Sequence, residues 1–425
     1  MLTRNTGAAA SLVAALAGYA TAHSTPWTTQ HADQTRAIVA EMLADAATRS
    51  SLLADSGSAG HDGKFFLAST DGNFRLNVSG QAQFRYTASF LTDDPVVNVD
   101  DFDSGFESPR TKLRFDGHIF EPSLFYAVQM NFDTNGGAAR LEDAYMGYKW
   151  DNGWALIWGQ LKMPVLWEDV VSIKNSLAAD YSVLNAVINP GRSQGIWAHY
   201  SNDDWRMWAG FSDGIATANT GFTSPAEPDW GLTTRWEWKI AGHWSQFDQF
   251  TSPRGSEFAV KLGAATHWQN GPDVVGAPAA LVGAYNADIM IKGDGWNLFA
   301  YAVGLHIDPD AAGAPSTDDF GALVQGGIYV TDDTELFARY DVVIPDNDRA
   351  ADKAFNTVTF GGNYYLHGQA AKLTLDAMWF LDDTVDNALV SGIVGAPGLT
   401  GTALGLRPST DGNQVALRLQ FQLLF

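Results

Sequence analysis

Between positions 110 and 116 the chain alternates charge with bulk: Arg110, Lys112, Arg114 and Asp116 are separated by Thr111, Leu113 and Phe115. A period of two puts the four charges on one face of an extended strand. Arg75 and Arg85 hold the same kind of position in FRLNVSGQAQFRY at 74–86, and Arg418 does so in VALRLQFQLLF at 415–425. A second charged set, Lys162, Glu168, Asp169, Lys174, Asp180 and Arg192, falls in or at the ends of one long segment between alternating stretches. Rows of cations facing mixed charges across a narrow, low-dielectric gap create a transverse field, which orients dipolar solutes and favours hydrophilic ones. That chemistry is filtering rather than bond making.

Signals for catalysis are poor. The chain has no cysteine, so thiolate nucleophiles, zinc–thiolate sites and disulfides are absent. No HExxH pair or phosphate-cradling glycine loop occurs, and the nine histidines are scattered. Nothing predicts a cofactor or a bound metal, the run Asp101, Asp103, Glu107 being only a faint relative of a calcium loop. A hydrolase or secreted glycan-binding protein is the competing class, with Asp143, Glu237 and Asp376 as its site. The formal net charge of −22 argues against a nucleic-acid partner, which needs cations in excess to neutralise phosphates.

The elements that would position these charges are strands. From Phe74 to the last residue the period is two, in sixteen segments: 74–90, 110–120, 123–133, 141–150, 153–161, 194–201, 204–213, 232–244, 256–269, 279–292, 295–307, 320–331, 334–343, 355–366, 370–381 and 413–425. Connections alternate between short (Glu121-Pro122, Asp151-Asn152, Asn202-Asp203) and long (91–109, 162–193, 382–412), with Ser245 to Gly255 breaking the rule. A transmembrane barrel explains the alternation, because its tight turns all lie at one rim and its long loops at the other. In lipid the strands must close, with apolar side chains outward and polar ones inward. Trp150, Trp154, Trp205 and Trp296 sit near strand ends, where an interfacial girdle is expected. No run of about eighteen apolar residues, as a membrane-spanning helix needs, occurs in the mature chain.

Two segments precede the barrel. Residues 1–22 read as a cleaved signal peptide, with Arg4, an apolar stretch and small residues at Ala20 and Ala22. Residues 23–63 read as a short amphipathic helix, carrying Ile38, Val39, Met42, Leu43, Ala46 and Ala47, then a Gly/Ser/Asp linker over 55–63. The barrel is expected over 64–425.

Several stretches, FRLNVSGQAQFRY at 74–86, ESPRTKLRFDGHIFEPSLFYAVQMNFD at 107–133, LEDAYMGYKW at 141–150 and WALIWGQLKMPVLWED at 154–169, resemble the phosphate-selective porin O and P family. The terminal Phe425 on an apolar strand face resembles the C-terminal signature of bacterial outer-membrane barrels. The resemblance implies a sixteen-stranded, homotrimeric outer-membrane channel among lipid and lipopolysaccharide, passively admitting small hydrophilic solutes and ions, with anions such as phosphate as candidates. It also implies inward arginines and a third loop folded into the lumen. Here that loop, 162–193, carries Trp167, Val170, Val171, Ile173, Leu177, Leu184 and Val187, too apolar for an excursion into water. Arg75, Arg85, Arg110, Lys112, Arg114 and Arg418 then form a basic wall, with Arg85 expected level with Gly117 to Arg114. Acids crowding the other long loops, among them Asp93, Asp94, Asp100, Asp308, Asp310, Asp346, Asp348, Asp382 and Asp383, would repel anions at the mouth, so a general or mildly selective porin is preferred to a strict phosphate channel.

Overall fold

The computed structural model describes residues 37, 40, 41, 57–91, 101–132, 137–225, 227–271, 280–395 and 399–425. The signal peptide and most of the expected helix lie outside them, as do Asp93, Asp94 and Asp100. Two four-residue strands, β1 (Ser58–His61) and β2 (Phe65–Ala68), precede sixteen long ones. These are β3 (Arg75–Phe90), β4 (Phe102–His118), β5 (Leu124–Phe132), β6 (Ala139–Lys149), β7 (Trp154–Lys162), β8 (Arg192–Ser201), β9 (Trp205–Ser212) and β10 (Trp230–Ala241). The second half adds β11 (Ala259–Asn270), β12 (Ala280–Gly293), β13 (Trp296–Pro309), β14 (Thr317–Tyr329), β15 (Thr334–Ile344), β16 (Phe355–His367), β17 (Ala371–Phe380) and β18 (Gln414–Leu424). Each pairs antiparallel with its chain neighbours, and β18 pairs with β3 to close the sheet into a sixteen-stranded barrel. Closure leaves no unpaired edge, the condition a β structure must meet in hydrocarbon.

Phe425 completes the seam by exchanging backbone hydrogen bonds with Gly80 at 2.7 and 3.1 Å. Below the seam β3 outruns β18, and β2 pairs with the edge left there, Phe65 opposite Val78 and Ala68 opposite Arg75. Residues 58–61, which composition assigns to a flexible linker, are therefore already in extended structure.

The outer face is apolar as membrane burial demands: Phe84, Trp158, Leu232, Trp236, Ile328, Phe360 and Leu419 are all exposed. At the short-turn rim Trp205 stacks on Trp238 at 5.5 Å, and Trp154 meets Tyr200 at 5.1 Å, an aromatic belt at the level where headgroups begin.

The inner face is not uniformly polar. Phe299, Tyr301, Leu323, Phe337, Val343, Phe355, Met378 and Phe380 are buried inside the barrel on β13–β17, among Leu177, Val183 and Leu184 from the 163–191 loop and Leu404 and Leu406 from the 381–413 loop. These wall residues face folded chain rather than water, so the usual inversion of a membrane barrel stops where loops fill the lumen. The loop residues between β7 and β8 include the helical turns α1 (Trp167–Val170) and α2 (Val183–Ile188). The irregular 242–258 connection also turns inward: Phe247 and Phe250 are buried, with Phe250 4.9 Å from Phe299.

Candidate functional site

The site is built where the 163–191 loop meets the wall. Four inward polar side chains hook its backbone in succession. Gln422 Nε2 donates to Lys174 O at 2.9 Å, Lys372 Nζ to Ser176 O at 2.8 Å and Asn363 Nδ2 to Leu177 O at 2.9 Å, while Asp376 Oδ2 accepts from Ala179 N at 2.9 Å. Each occupies an inward position of the two-residue alternation along β16, β17 or β18, and the loop takes the place of water as their partner. Asn363, Lys372 and Gln422 were not singled out from sequence; a polar residue at every inward position looks the same whether it meets solvent or a loop.

Two anchors fix the loop's first turn. Glu168 accepts from Ser182 N, Ser182 Oγ, Tyr301 OH and Arg339 at 2.8, 2.7, 2.8 and 3.3 Å, which saturates a buried carboxylate. Trp167 is covered by two cations, Lys261 Nζ at 3.0 Å from its ring centroid and Arg235 Cζ at 4.8 Å. Desolvated cation–π contacts of this kind contribute roughly 2 kcal/mol each.

Of the expected basic wall, Arg85 and Arg418 are sealed. Arg85 donates to Gln420 Oε1 at 2.8 Å, to Ala179 O at 2.8 Å and to Ala403 O at 3.3 Å, and lies 2.9 Å from Asp180 Oδ2. It thus joins β3 and β18 to two loops. Arg418 forms a bidentate pair with Asp376 at 2.7 and 2.8 Å. Register corrects one expectation: Arg85 lies opposite Glu107, not level with Gly117 to Arg114, because β4 already starts at Phe102, opposite Phe90; a bulge between Glu107 and Arg110 shifts the pairing by one further residue. Pro109, with no N–H to give the ladder, sits in that bulge. The strand also begins at Phe102, well before the expected 110, because the bulge inverts the alternation above it.

The remaining predicted charges converge into one strip. Lys112 donates to Glu142 at 2.7 Å, Arg192 reaches Glu142 at 3.3 Å and Asp143 at 2.7 Å, and Arg114 reaches Asp143 at 3.1 Å and Asp116 at 3.2 Å. Lys64, from the turn before β2, closes the row on Asp116 at 3.0 Å. At its other end Arg110 meets Asp180 at 2.6 Å, and Lys162 meets Asp169 at 3.1 Å. Arg75 stands apart near the rim, paired with Asp62 at 2.5 Å and lying over the Phe66 ring. Glu142 and Asp143 both enter the strip through a bulge in β6, where Gln129 pairs with Asp143 and Met130 with Leu141. Strict alternation allows only one of two adjacent carboxylates to face inward, so Glu142 escaped the sequence reading.

Lys112, Arg114, Arg192, Glu142 and Asp143 keep roughly an eighth to a quarter of their side-chain surface, whereas Arg85, Arg418, Arg235 and Lys261 keep none. The hydrated part of the lumen therefore runs beside β4–β8. Burial alone would push the Asp180 carboxyl up, but Arg110 and Arg85 outweigh it and hold the group well below the ordinary carboxylate range. Burial, then the neighbouring Lys64 and Arg114, push Lys174 down.

The carboxylates of the competing hydrolase reading are occupied by ion pairs: Asp143 by Arg114 and Arg192, Glu237 by Lys261 at 2.6 Å, Asp376 by Arg418. Gly210 to Gly214 spells G-F-S-D-G, the spacing of a nucleophile elbow, but Ser212 pairs within the sheet at the end of β9 rather than standing on a strand-to-helix turn. Among the described residues no group of three His, Asp or Glu side chains could hold a metal ion.

A closed antiparallel sixteen-strand barrel, apolar outside and narrowed inside by a charged loop, is an outer-membrane channel of the porin class. Residues 81–254 match the family described as phosphate-selective porin O and P. The fold is shared with OmpT of Vibrio cholerae, at 14% identity and a TM-score of 0.52, covering 82% of this chain and 98% of that one. The outer membrane channel DcaP of Acinetobacter baumannii is similar to the same degree, 14% identical with a TM-score of 0.52, over 84% of this chain and 99% of its own. No curated protein sequence matches the chain. The protein is a porin of the bacterial outer membrane.

Proposed function

We propose that this porin admits small hydrophilic solutes of either charge with weak ionic preference, rather than phosphate alone. The observation that carries the reading is the strip along β4–β8, in which every cation of Arg110, Lys112, Arg114, Lys162 and Arg192 is ion-paired, Arg114 and Arg192 sharing Asp143. A solute passing this strip meets alternating signs within a few ångströms, a field that exchanges hydration for paired dipoles and discriminates against apolar molecules. Among the described residues, no run of unpaired cations offers an anion a continuous ladder. The barrel works as a homotrimer in this reading, supported by the trimer form described for Vibrio cholerae OmpT.

The test is planar-bilayer current through the refolded protein in a salt gradient, with phosphate then titrated against chloride. Stepwise current with a small reversal potential and no phosphate block is expected. Saturable block by phosphate would favour the phosphate-selective channel, and absence of current from a correctly inserted barrel would overturn the channel itself.

A further inference from the structure

Beside the charged strip, the inner wall of β5–β10 and α1 enclose a cavity of about 460 Å³, within the size range of small-molecule sites. Its walls are more aromatic than a water-filled passage requires. Phe125 meets Tyr145 edge-on at 6.5 Å, and Trp208 packs on His199 at 4.2 Å. Two such ring pairs on one cavity offer faces and edges to a third ring.

The charges around these rings are of two kinds. Asp143 and Lys162 are committed to the strip. Arg206, Glu237 and Asp248 keep unused valences. Arg206 forms no ion pair among the described residues; its guanidinium lies 4.2 Å over the Trp244 ring and its Nε is buried without a partner. Glu237 spends Oε1 on Lys261 and Arg235, leaving a buried Oε2 unpartnered in a side chain only 1% exposed. The Asp248 carboxylate, from the turn at Trp244–Asp248, lines the same cavity. Burial pushes Asp248 up, Arg206 pulls it down and Glu237 raises it again, so the three groups share one field. A buried polar atom left unpaired in a native protein calls for an explanation, and a ligand is one.

We infer that this cavity binds small aromatic zwitterions, of which phenylalanine is the simplest. The ring lies between the Phe125–Tyr145 pair and Trp208, the carboxylate takes Arg206, and the ammonium takes Glu237 Oε2 and Asp248. The inference rests on the porin reading only in making this a pause point on a route through the lumen; the binding itself does not require conduction.

Titration calorimetry of the refolded full-length barrel in detergent, and planar-bilayer current, are run in parallel with phenylalanine, glycine and glucose as probes. Saturable binding of phenylalanine, with concentration-dependent interruption of the current, is expected, and neither effect from glycine or glucose. Trp208→Ala and Arg206→Gln each weaken calorimetric binding by about 5- to 10-fold, the scale of one lost aromatic or charge-assisted contact. Trp150→Ala, on the outer belt, leaves it unchanged, and a heat-modifiable gel shift confirms that each variant is folded. No binding of phenylalanine, equal binding of glycine or glucose, or undiminished binding by both cavity variants overturns the site. Binding without current removes the channel and keeps the site; current without binding does the reverse.

Discussion

Asp180 illustrates how one carboxylate sets the state of two of the wall's arginines. It lies 2.9 Å from Arg85 and 2.6 Å from Arg110, and it brings the loop backbone to Arg339, which donates to its carbonyl at 2.9 Å. Replacing Asp180 by Asn removes the charge opposite a fully buried Arg85, and breaking such a pair costs about 3–5 kcal/mol. Asp180→Asn is therefore expected to lower the thermal midpoint of the folded barrel and to make the open channel more anion-selective, read by melting and by reversal potential. The sign of the pH dependence follows from the depressed titration of Asp180: its stabilising charge is fully present above the ordinary value of 3.8 and disappears only as pH falls further, through the lowered folded value. The stabilisation that Asp180 supplies should stay constant from pH 7 to about 4 and be lost only in stronger acid, read as the difference in melting midpoint between the unchanged protein and Asp180→Asn. Arg114→Ala, by contrast, removes a cation from the hydrated strip and is expected to move the reversal potential toward cations without loosening the loop. Sequence told which of these residues face inward; it could not tell Arg85, which is sealed, from Arg114, which is wetted, because alternation gives a face and not a depth.

At the scale of elements, strand number, strand direction and the alternation of short and long connections were legible, since lipid on one side and folding chain or water on the other impose a period of two along every strand. Bulges were not. The one in β4 brings Glu107 level with Arg85, and the one in β6 brings Glu142 into the strip beside Asp143. Each depends on which residue the partner strand places opposite, which a single strand's pattern does not contain. The 242–258 connection was recognisable as too long for a turn, and its reason lies in the fold: Lys292 donates to Gln246 O, Gln249 O and Thr251 O, holding the segment inside the wall, where Phe250 N reaches Asn175 O at 3.0 Å. Gly321 tests how firmly the 163–191 loop depends on the wall. A Cβ there would lie 2.1 Å from Leu184 Cδ1, so β14 makes room for α2 by lacking a side chain. Overpacking of this kind costs typically 1–3 kcal/mol. Gly321→Val should displace α2, raise single-channel conductance and broaden the current noise, while the gel shift of the barrel persists. Unchanged conductance would mean that the loop does not limit the path.

Seen whole, the molecule carries its excess negative charge where the lumen does not. Of the net −22, much lies at the long-loop rim, where Asp101, Asp103, Asp308, Asp310, Asp318, Asp348 and Asp352 are exposed. The cations of the strip within are ion-paired, several of them through shared carboxylates. Exposed charges act through solvent and are screened over a Debye length, about 10 Å at 0.1 M ionic strength and 3 Å at 1 M. Charges held inside a narrow lumen of low dielectric are screened much less. The rim therefore concentrates cations at low ionic strength and becomes ineffective at high ionic strength, while the paired strip contributes little preference in either condition. For a fixed concentration ratio across the membrane, the reversal potential should favour cations when the mean salt is near 0.1 M and fall toward zero near 1 M. A selectivity independent of salt would place the deciding charges in the constriction instead, and an anion preference that grows with salt would identify the Lys64, Arg114 and Lys174 neighbourhood as stronger than its shared Asp116 can offset.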